Sequence, residues 1–401
     1  MKIMNMKNTF RFASLLMAAV MLFASCGEGP LGNTGNNNQG GNNTEQGGND
    51  NTGNNGGGNT ENETGTLTLE VDKLIIQSNG EDVATLKVLF NDKVITEGVT
   101  IYDNKNKKVE LVDFKFTTET PGEYGFWANY KTFNSNDVKI TAVATEVPST
   151  PEDPQASNTS FVRRVLLTKI TGAGCVACPN VTAALHEIME DEAYAPYFIK
   201  AEAHTFESGY DPAQLTGFYS VTSWPTVIVD WAMSFVPTSG VVTQRAIENM
   251  IKERYEAEDA KAGIAVNSKC ENGAITLKVC VKAAETDEYC VGAWLLEDGI
   301  EGTQSGAPTG EGNEYYHVFD DCIRIADSKR AAGAYSGHKL GEIAAGKTAE
   351  KMFIWTLKDA WKVENLQLCV FVSAPNEDGV YVVNNVINAP VNGEVKYEYK
   401  K

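Results

Sequence analysis

Two β-sandwiches flanking an α/β unit are the fold the sequence predicts, and three observations predict it. Residues 66–147 run in short stretches that alternate apolar and polar with period two, as half-buried strands do. Residues 161–260 alternate apolar strand patterns with apolar residues at helical spacing, and 261–401 return to strand patterns broken by Gly, Asn and Pro. At 401 residues the chain also exceeds the size at which one hydrophobic core keeps growing, so several folded units are expected.

Composition narrows the function classes. The chain carries 34 Lys and Arg against 53 Asp and Glu, a formal charge of −19. It therefore lacks the positive face with which proteins release counterions from nucleic acid, and no nucleic-acid partner is expected. Beyond the amino terminus no apolar run approaches membrane-spanning length, which excludes a polytopic membrane protein. Eight Cys against four His favour thiol chemistry over a His-rich metal site, and neither a metal nor a cofactor is expected.

Residues 1–25 read as a signal peptide. Lys2, Lys7 and Arg11 precede the apolar stretch 12–24, which is too short to span a bilayer. It ends in Phe23-Ala24-Ser25-Cys26, which resembles the lipobox of bacterial lipoproteins. That resemblance implies cleavage before Cys26 and lipidation of its sulfur, so that a lipid anchor attaches the chain to a membrane. Residues 26–65 follow as a tether. Of residues 27–65, 13 are Gly and 12 are Asn, and Leu31 is the one large apolar side chain. Such a segment cannot offset its conformational entropy by burial, and as a coil it would span roughly 30–37 Å.

In 66–147, Leu67–Val71, Val83–Leu89 and Val138–Val143 alternate, with turns at Asn79-Gly80, Asn91-Asp92 and Pro121-Gly122. About seven short strands in this span fit an immunoglobulin-like sandwich, a spacer or binding module without Cys or His. Pro148, Pro151 and Pro154 make 148–160 a stiff linker.

The unit 161–260 opens on Val165-Leu166-Leu167, a short apolar run suited to a strand covered on both faces. A glycine turn leads to Cys175-Val176-Ala177-Cys178-Pro179, after which Val181, Ala184, Leu185 and Ile188 share a helix face. A strand near 197–204, a loop containing Asp211, and Trp224-Pro225 running into Thr226–Val229 follow, and a helix over 246–255 closes the unit. Two thiols at a helix amino terminus can close a small disulfide, and the helix dipole favours the thiolate of the first. Cys175 is thus expected as the exposed nucleophile and Cys178 as the buried resolving thiol. His204 ends the second strand. It reads as an ordinary surface histidine, with assistance to thiol deprotonation as the alternative. His186 reads as solvated.

The last unit, 261–401, shows seven strand patterns, near 263–270, 274–283, 289–296, 315–325, 351–358, 365–373 and 379–387, with a Gly-rich loop over 299–313. Cys270, Cys280, Cys290, Cys322 and Cys369 lie here, and their pairing is open, because five thiols allow fifteen arrangements with two bridges. Alternation suggests that several of them, Cys280 and Cys369 included, face outward. His317 reads as a core or rim histidine.

The dithiol and Trp224-Pro225-Thr226, about fifty residues apart, resemble the thioredoxin fold. The resemblance implies that Pro225 is a cis-proline beside the dithiol and that Trp224 and Thr226 shape a substrate groove. Gly174 stands where that family commonly has Trp, and Lys169 stands where its buried acid falls. The overall order of segments, with a tail containing Tyr316-His317-Val318, resembles the Omp-twenty-eight-related outer-membrane protein family of the Bacteroidetes. That resemblance implies a lipoprotein of the cell envelope, on an outer-membrane leaflet the sequence does not identify. Two functions stay open. One is thiol–disulfide exchange on envelope proteins that carry thiols or disulfides. The other is a non-enzymatic surface, adhesion or assembly lipoprotein whose disulfide is structural.

Overall fold

The structure is a computed structural model that describes residues 4–5, 64–219, 221–238, 242–328 and 335–401. Nearly all of the expected signal peptide, the lipidation residue Cys26 and the tether up to residue 63 lie outside the described residues.

The first module has β1 (Leu67–Val71), β2 (Ile75–Gln77), β3 (Ala84–Phe90), β4 (Val99–Asp103), β5 (Gly122–Tyr130) and β6 (Val138–Val143) as its longer strands. β1 pairs with β3, and a second sheet runs β2-β6-β5-β4. Period-two patterning builds the core between them. Leu67, Leu69, Leu86 and Val88 meet Ile101, Phe126, Ala128 and Ile140.

Instead of standing free as a strut, the segment 148–160 is docked on the tail. The buried Lys282 donates to the Asp153 carboxylate at 2.7 Å and to the carbonyls of Gln155 and Ala156. The Tyr399 hydroxyl donates to Asp153 as well.

The rest of the chain shares one large mixed sheet. Its first part comprises β7 (Val165–Thr171), α1 (Pro179–Glu190), β8 (Phe198–His204), β9 (Thr226–Val229), β10 (Met233–Phe235) and α2 (Thr243–Glu256). The tail supplies β11 (Ala262–Glu271), β12 (Ala274–Ala283), β13 (Asp287–Glu297), β14 (Cys322–Asp327), β15 (His338–Ile343), β16 (Thr348–Thr356), β17 (Leu366–Pro375) and β18 (Tyr381–Pro390). The large sheet runs β10-β9-β7-β8-β14-β13-β17-β18, with β15 also on β13 and Met4–Asn5 outside β10. The tail's other sheet, β11-β12-β16 with Glu394–Val395, packs on the β13 and β17 region through Ile264, Leu277, Val279, Leu295, Leu368 and Val370. The tail is a sandwich, as expected, but one of its sheets continues that of the α/β unit past residue 260.

The continuation has a simple cause. β8 is a strand buried almost throughout, so it needs a neighbour on each edge. β7 pairs with it in parallel from Val165↔Phe198 to Thr171↔His204, and β14 joins its other edge at Glu202↔Cys322. On one face of this sheet, α1 and α2 cover Val165, Leu167, Val227 and Val229. On the other, Leu166, Ile170, Ala201 and Ile228 pack with Trp294, Leu296, Phe371 and Val383 of the tail. Arg163 and Arg254 bind Asp230 at 3.0 and 3.2 Å, and Arg163 also donates to the Asn384 carbonyl, tying β7, α2 and β18 together.

The strand expected near 315–325 is divided. A short helical turn over Glu314–His317, a two-residue strand and β14 replace it, with Asp321 at a positive φ of 57° between them. None of the five tail cysteines forms a disulfide among the described residues, and all but Cys270 are buried. Outward alternation did not expose Cys280 or Cys369, because both outer faces are covered. Cys280 lies against Phe161 and Tyr397, and Cys369 among Trp294, Ile323 and Phe371. Among the described residues no helix is long and apolar enough to cross a membrane.

Candidate active site at the dithiol

β7 leaves the sheet at Thr171 and turns through Gly172. A side chain at Gly172 would lie 2.7 Å from the Phe206 Cβ and 2.9 Å from its carbonyl oxygen, so the close passage of segment 205–208 requires glycine there. Cys175 and Cys178 then form a disulfide with Cα atoms 5.4 Å apart. Cys178 caps α1, and Pro179 occupies the first turn, where an N–H is dispensable. The helical face predicted from spacing is the buried one, with Val181, Ala184, Leu185 and Ile188 in the core. The pair therefore sits on the positive end of α1, where a released thiolate is stabilised.

The antiparallel register Ile170↔Thr226 brings the start of β9 to the edge of the sheet from which β7 departs toward Cys175. The Trp224–Pro225 peptide bond is cis, and Pro225 is buried. Trp224 is held by its indole N–H, which donates to the Thr205 hydroxyl at 3.0 Å, and by an edge-on contact with Phe206. The Thr226 hydroxyl turns back to the Ser223 carbonyl at 2.6 Å. Segment 205–206 thus touches both the Gly172 turn and the Trp224 ring, and the expected site residues share one region.

One expectation is corrected. Cys175 is 4% exposed, so neither sulfur lies open, whereas Val176 between them is 72% exposed. The cause is a roof from the tail. The Gln304 amide donates to the carbonyls of Gly172, Ala173 and Cys175 at 3.3, 3.2 and 3.0 Å. Ser305 N–H donates to the Ala173 carbonyl at 2.7 Å, and the Ser305 hydroxyl meets that of Tyr210. Gly306, at a φ of +74°, rests on Val176 so closely that a Cβ would come within 2.4 Å of its carbonyl oxygen. Behind the roof, the His317 ring accepts from the Gln304 backbone N–H at 3.2 Å, a rim position as expected.

Charged groups lie beneath the site. Lys169 donates to Glu202 and to the Thr182 hydroxyl of α1, both at 2.9 Å, and Thr182 in turn reaches the Cys178 carbonyl. Lys200 bridges Glu202 and Asp321 at 3.0 and 3.2 Å. Burial pushes the Glu202 carboxyl up, but Lys169 and Lys200 outweigh it and hold the group well below the usual carboxylate range. Burial, helped by the Lys200 charge, drives the Lys169 ammonium down against the pull of Glu202.

His204 is no surface residue. It is buried under Phe319 of the tail, and its Nδ1 pairs with Asp211 at 3.0 Å. Burial works against its charge, yet the Cys322 sulfur, Asp211 and Glu202 together raise its pKa well above the ordinary imidazole value. His186 is half-exposed, with its ring stacked on Tyr315 at 4.1 Å.

Sequence reasoning missed Gln304, Glu202, Asp211 and Cys322. One signal was available. Lys200, Glu202 and His204 fall at period two in an otherwise apolar strand, and charges on one face of a buried strand must be paired.

Fold and site define a multi-sheet, β-rich protein with a Cys-X-X-Cys disulfide at the head of a helix. Residues 213–394, spanning the cis-proline strand and most of the tail, match the model of a family described as outer membrane protein Omp28. The match begins at Ala213, so the dithiol lies outside it. Among solved structures, HBP35 of Porphyromonas gingivalis is similar at a TM-score of 0.46 and 16% identity, covering 58% of this chain and 77% of that one. None of the curated proteins matches the chain.

Proposed function

We propose that the protein carries out thiol–disulfide exchange on proteins of the cell envelope, from a thioredoxin-like unit attached to the outer membrane through lipid on Cys26. The observation that carries the reading is the pairing of a Cys-X-X-Cys at a helix amino terminus with Trp224-Pro225-Thr226 at the same sheet edge. Similarity to outer membrane proteins supports the compartment, and the lipobox-like Phe23–Cys26 supports the anchor.

In the reduced protein the Cys175 thiolate attacks one sulfur of a substrate disulfide. A mixed disulfide forms and the other substrate sulfur leaves as a thiolate. The Cys178 thiolate then attacks the Cys175 sulfur and releases the second substrate thiol, so the substrate ends reduced and the protein oxidised. The reverse sequence oxidises a dithiol. Trp224, Pro225 and Thr226 line the approach. Segment 304–306 must lift before the Cys175 sulfur can be reached.

The alternative, an adhesion or assembly lipoprotein with a structural disulfide, is favoured by that same roof, since static disulfides are buried ones. Trapping separates the two. Cys178→Ser should retain partners as mixed disulfides through Cys175, and Cys175→Ser should not. If neither variant retains any partner from an envelope extract or a model disulfide peptide, the exchange reading fails.

A further inference from the structure

The roof over the dithiol touches the disulfide ring itself. The Gln304 amide donates to the Cys175 carbonyl at 3.0 Å. A Cβ on Gly306 would lie 2.9, 3.0 and 2.4 Å from the Cα, carbonyl carbon and carbonyl oxygen of Val176, which stands between the two cysteines. The turn just before the ring adds the Ser305 N–H on the Ala173 carbonyl and the Gln304 amide on that of Gly172. The roof is therefore seated on the stretch of backbone that the Cys175–Cys178 bond holds in place.

The segment is fixed where it leaves the tail. Ile300 and Glu301 pair with Phe319 and Val318, the Gly302 N–H donates to the His317 carbonyl, and the Gln304 N–H donates to the His317 ring. Toward the tip, residues 308–312 are exposed throughout. Between base and tip the seat consists mainly of hydrogen bonds to backbone, which water can replace when the segment lifts.

The two redox states ask different things of that seat. A disulfide is neutral, so covering it costs little. Reduction by a dithiol breaks the S–S bond, two electrons and two protons pass to Cys175 and Cys178, and the reductant leaves as its own disulfide. The ring is then open, and the positive end of α1 favours loss of the Cys175 proton. Cys175 is 4% exposed under the roof, and a thiolate so covered needs donors. The Gln304 amide cannot serve, because its two N–H groups are spent on three backbone carbonyls. Lifting the roof admits water to the sulfur.

We propose that residues 303–306 form a redox-sensitive strap, seated on the Cys175–Cys178 disulfide and released when the pair is reduced. The form open to other proteins is then the dithiol. By linkage, a strap that prefers the disulfide also stabilises it, which makes the dithiol the stronger reductant. The assignment shares with the exchange reading only the premise that the pair opens, and the capture of partners plays no part in its test.

Hydrogen–deuterium exchange of the full chain, read over residues 302–308, compares the oxidised protein with the protein reduced by a phosphine. Cys178→Ser supplies a second form with a free Cys175 thiol and needs no reductant. Exchange in the strap should be at least about fivefold faster in both open forms, with 289–296 of β13 unchanged. Gln304→Ala removes the three carbonyl contacts. It should speed strap exchange in the oxidised protein and shift the pair toward the dithiol at least about fivefold in a defined thiol buffer. Equal strap exchange in the oxidised and open forms overturns the proposal. Faster exchange spread equally over 289–296, or an unchanged dithiol fraction in Gln304→Ala, overturns it as well.

Discussion

Asp230 shows how much one residue carries. Its buried carboxylate takes Arg163, Arg254 and the Leu166 N–H, and Arg163 has almost no access to water. Asp230→Ala would strand Arg163 in the interior, and loss of one partner from a buried pair costs about 3–5 kcal/mol. Urea denaturation should register that loss with the slope unchanged. Asp321 gives a pH signature. Burial, against the pull of Lys200, pushes its carboxyl up to about 6, compared with about 3.9 in an unfolded chain. The folded state therefore binds the proton first. The contribution is fully present below the unfolded value and is lost as pH rises through about 6. Wild type should gain stability relative to Asp321→Asn as pH falls from about 7 to 5, by at most about 2 kcal/mol, and denaturation at several pH values reads the difference.

At the scale of elements, strand and helix existence was legible wherever one periodicity dominated. The α1 face and the alternating strands of the first module follow directly from sequence spacing. The division of 315–325 was not legible, because Asp320-Asp321 interrupts an apolar run by backbone conformation rather than by a Gly or Pro. Nor was the roof. A Gly-rich loop such as 299–313 shows no periodicity, and what seats it is the reach of Gln304 to three carbonyls far away in the chain. Gly306 is the sensitive point. Gly306→Ala combines a left-handed backbone with a Cβ 2.4 Å from the Val176 carbonyl, so the roof should no longer seat. Reduction of the Cys175–Cys178 disulfide by a phosphine should then be faster, with the circular dichroism spectrum unchanged. Equal rates in the two proteins would mean that the roof does not limit access.

Across the whole molecule, the dithiol and Trp224-Pro225 could be associated from sequence because both lie in one local unit. The charged layer beneath them could not, because Cys322 and Asp321 arrive from a strand more than a hundred residues away. The same long-range pairing makes the α/β unit and the tail inseparable. A fragment ending at residue 260 would bare Leu166, Ile170 and Ile228 and the outer edge of β8. It should aggregate or lack dispersed amide resonances, whereas 161–401 should fold. The disulfide is thus set in a scaffold joined across the chain, under a roof made by the tail, and the central claim is that it nevertheless exchanges. Its reduction potential tests that most directly, by equilibration of the Cys175–Cys178 pair in defined thiol buffers. The account predicts a value above about −300 mV, within reach of envelope thiols. A value below about −300 mV would mark a structural disulfide and contradict it.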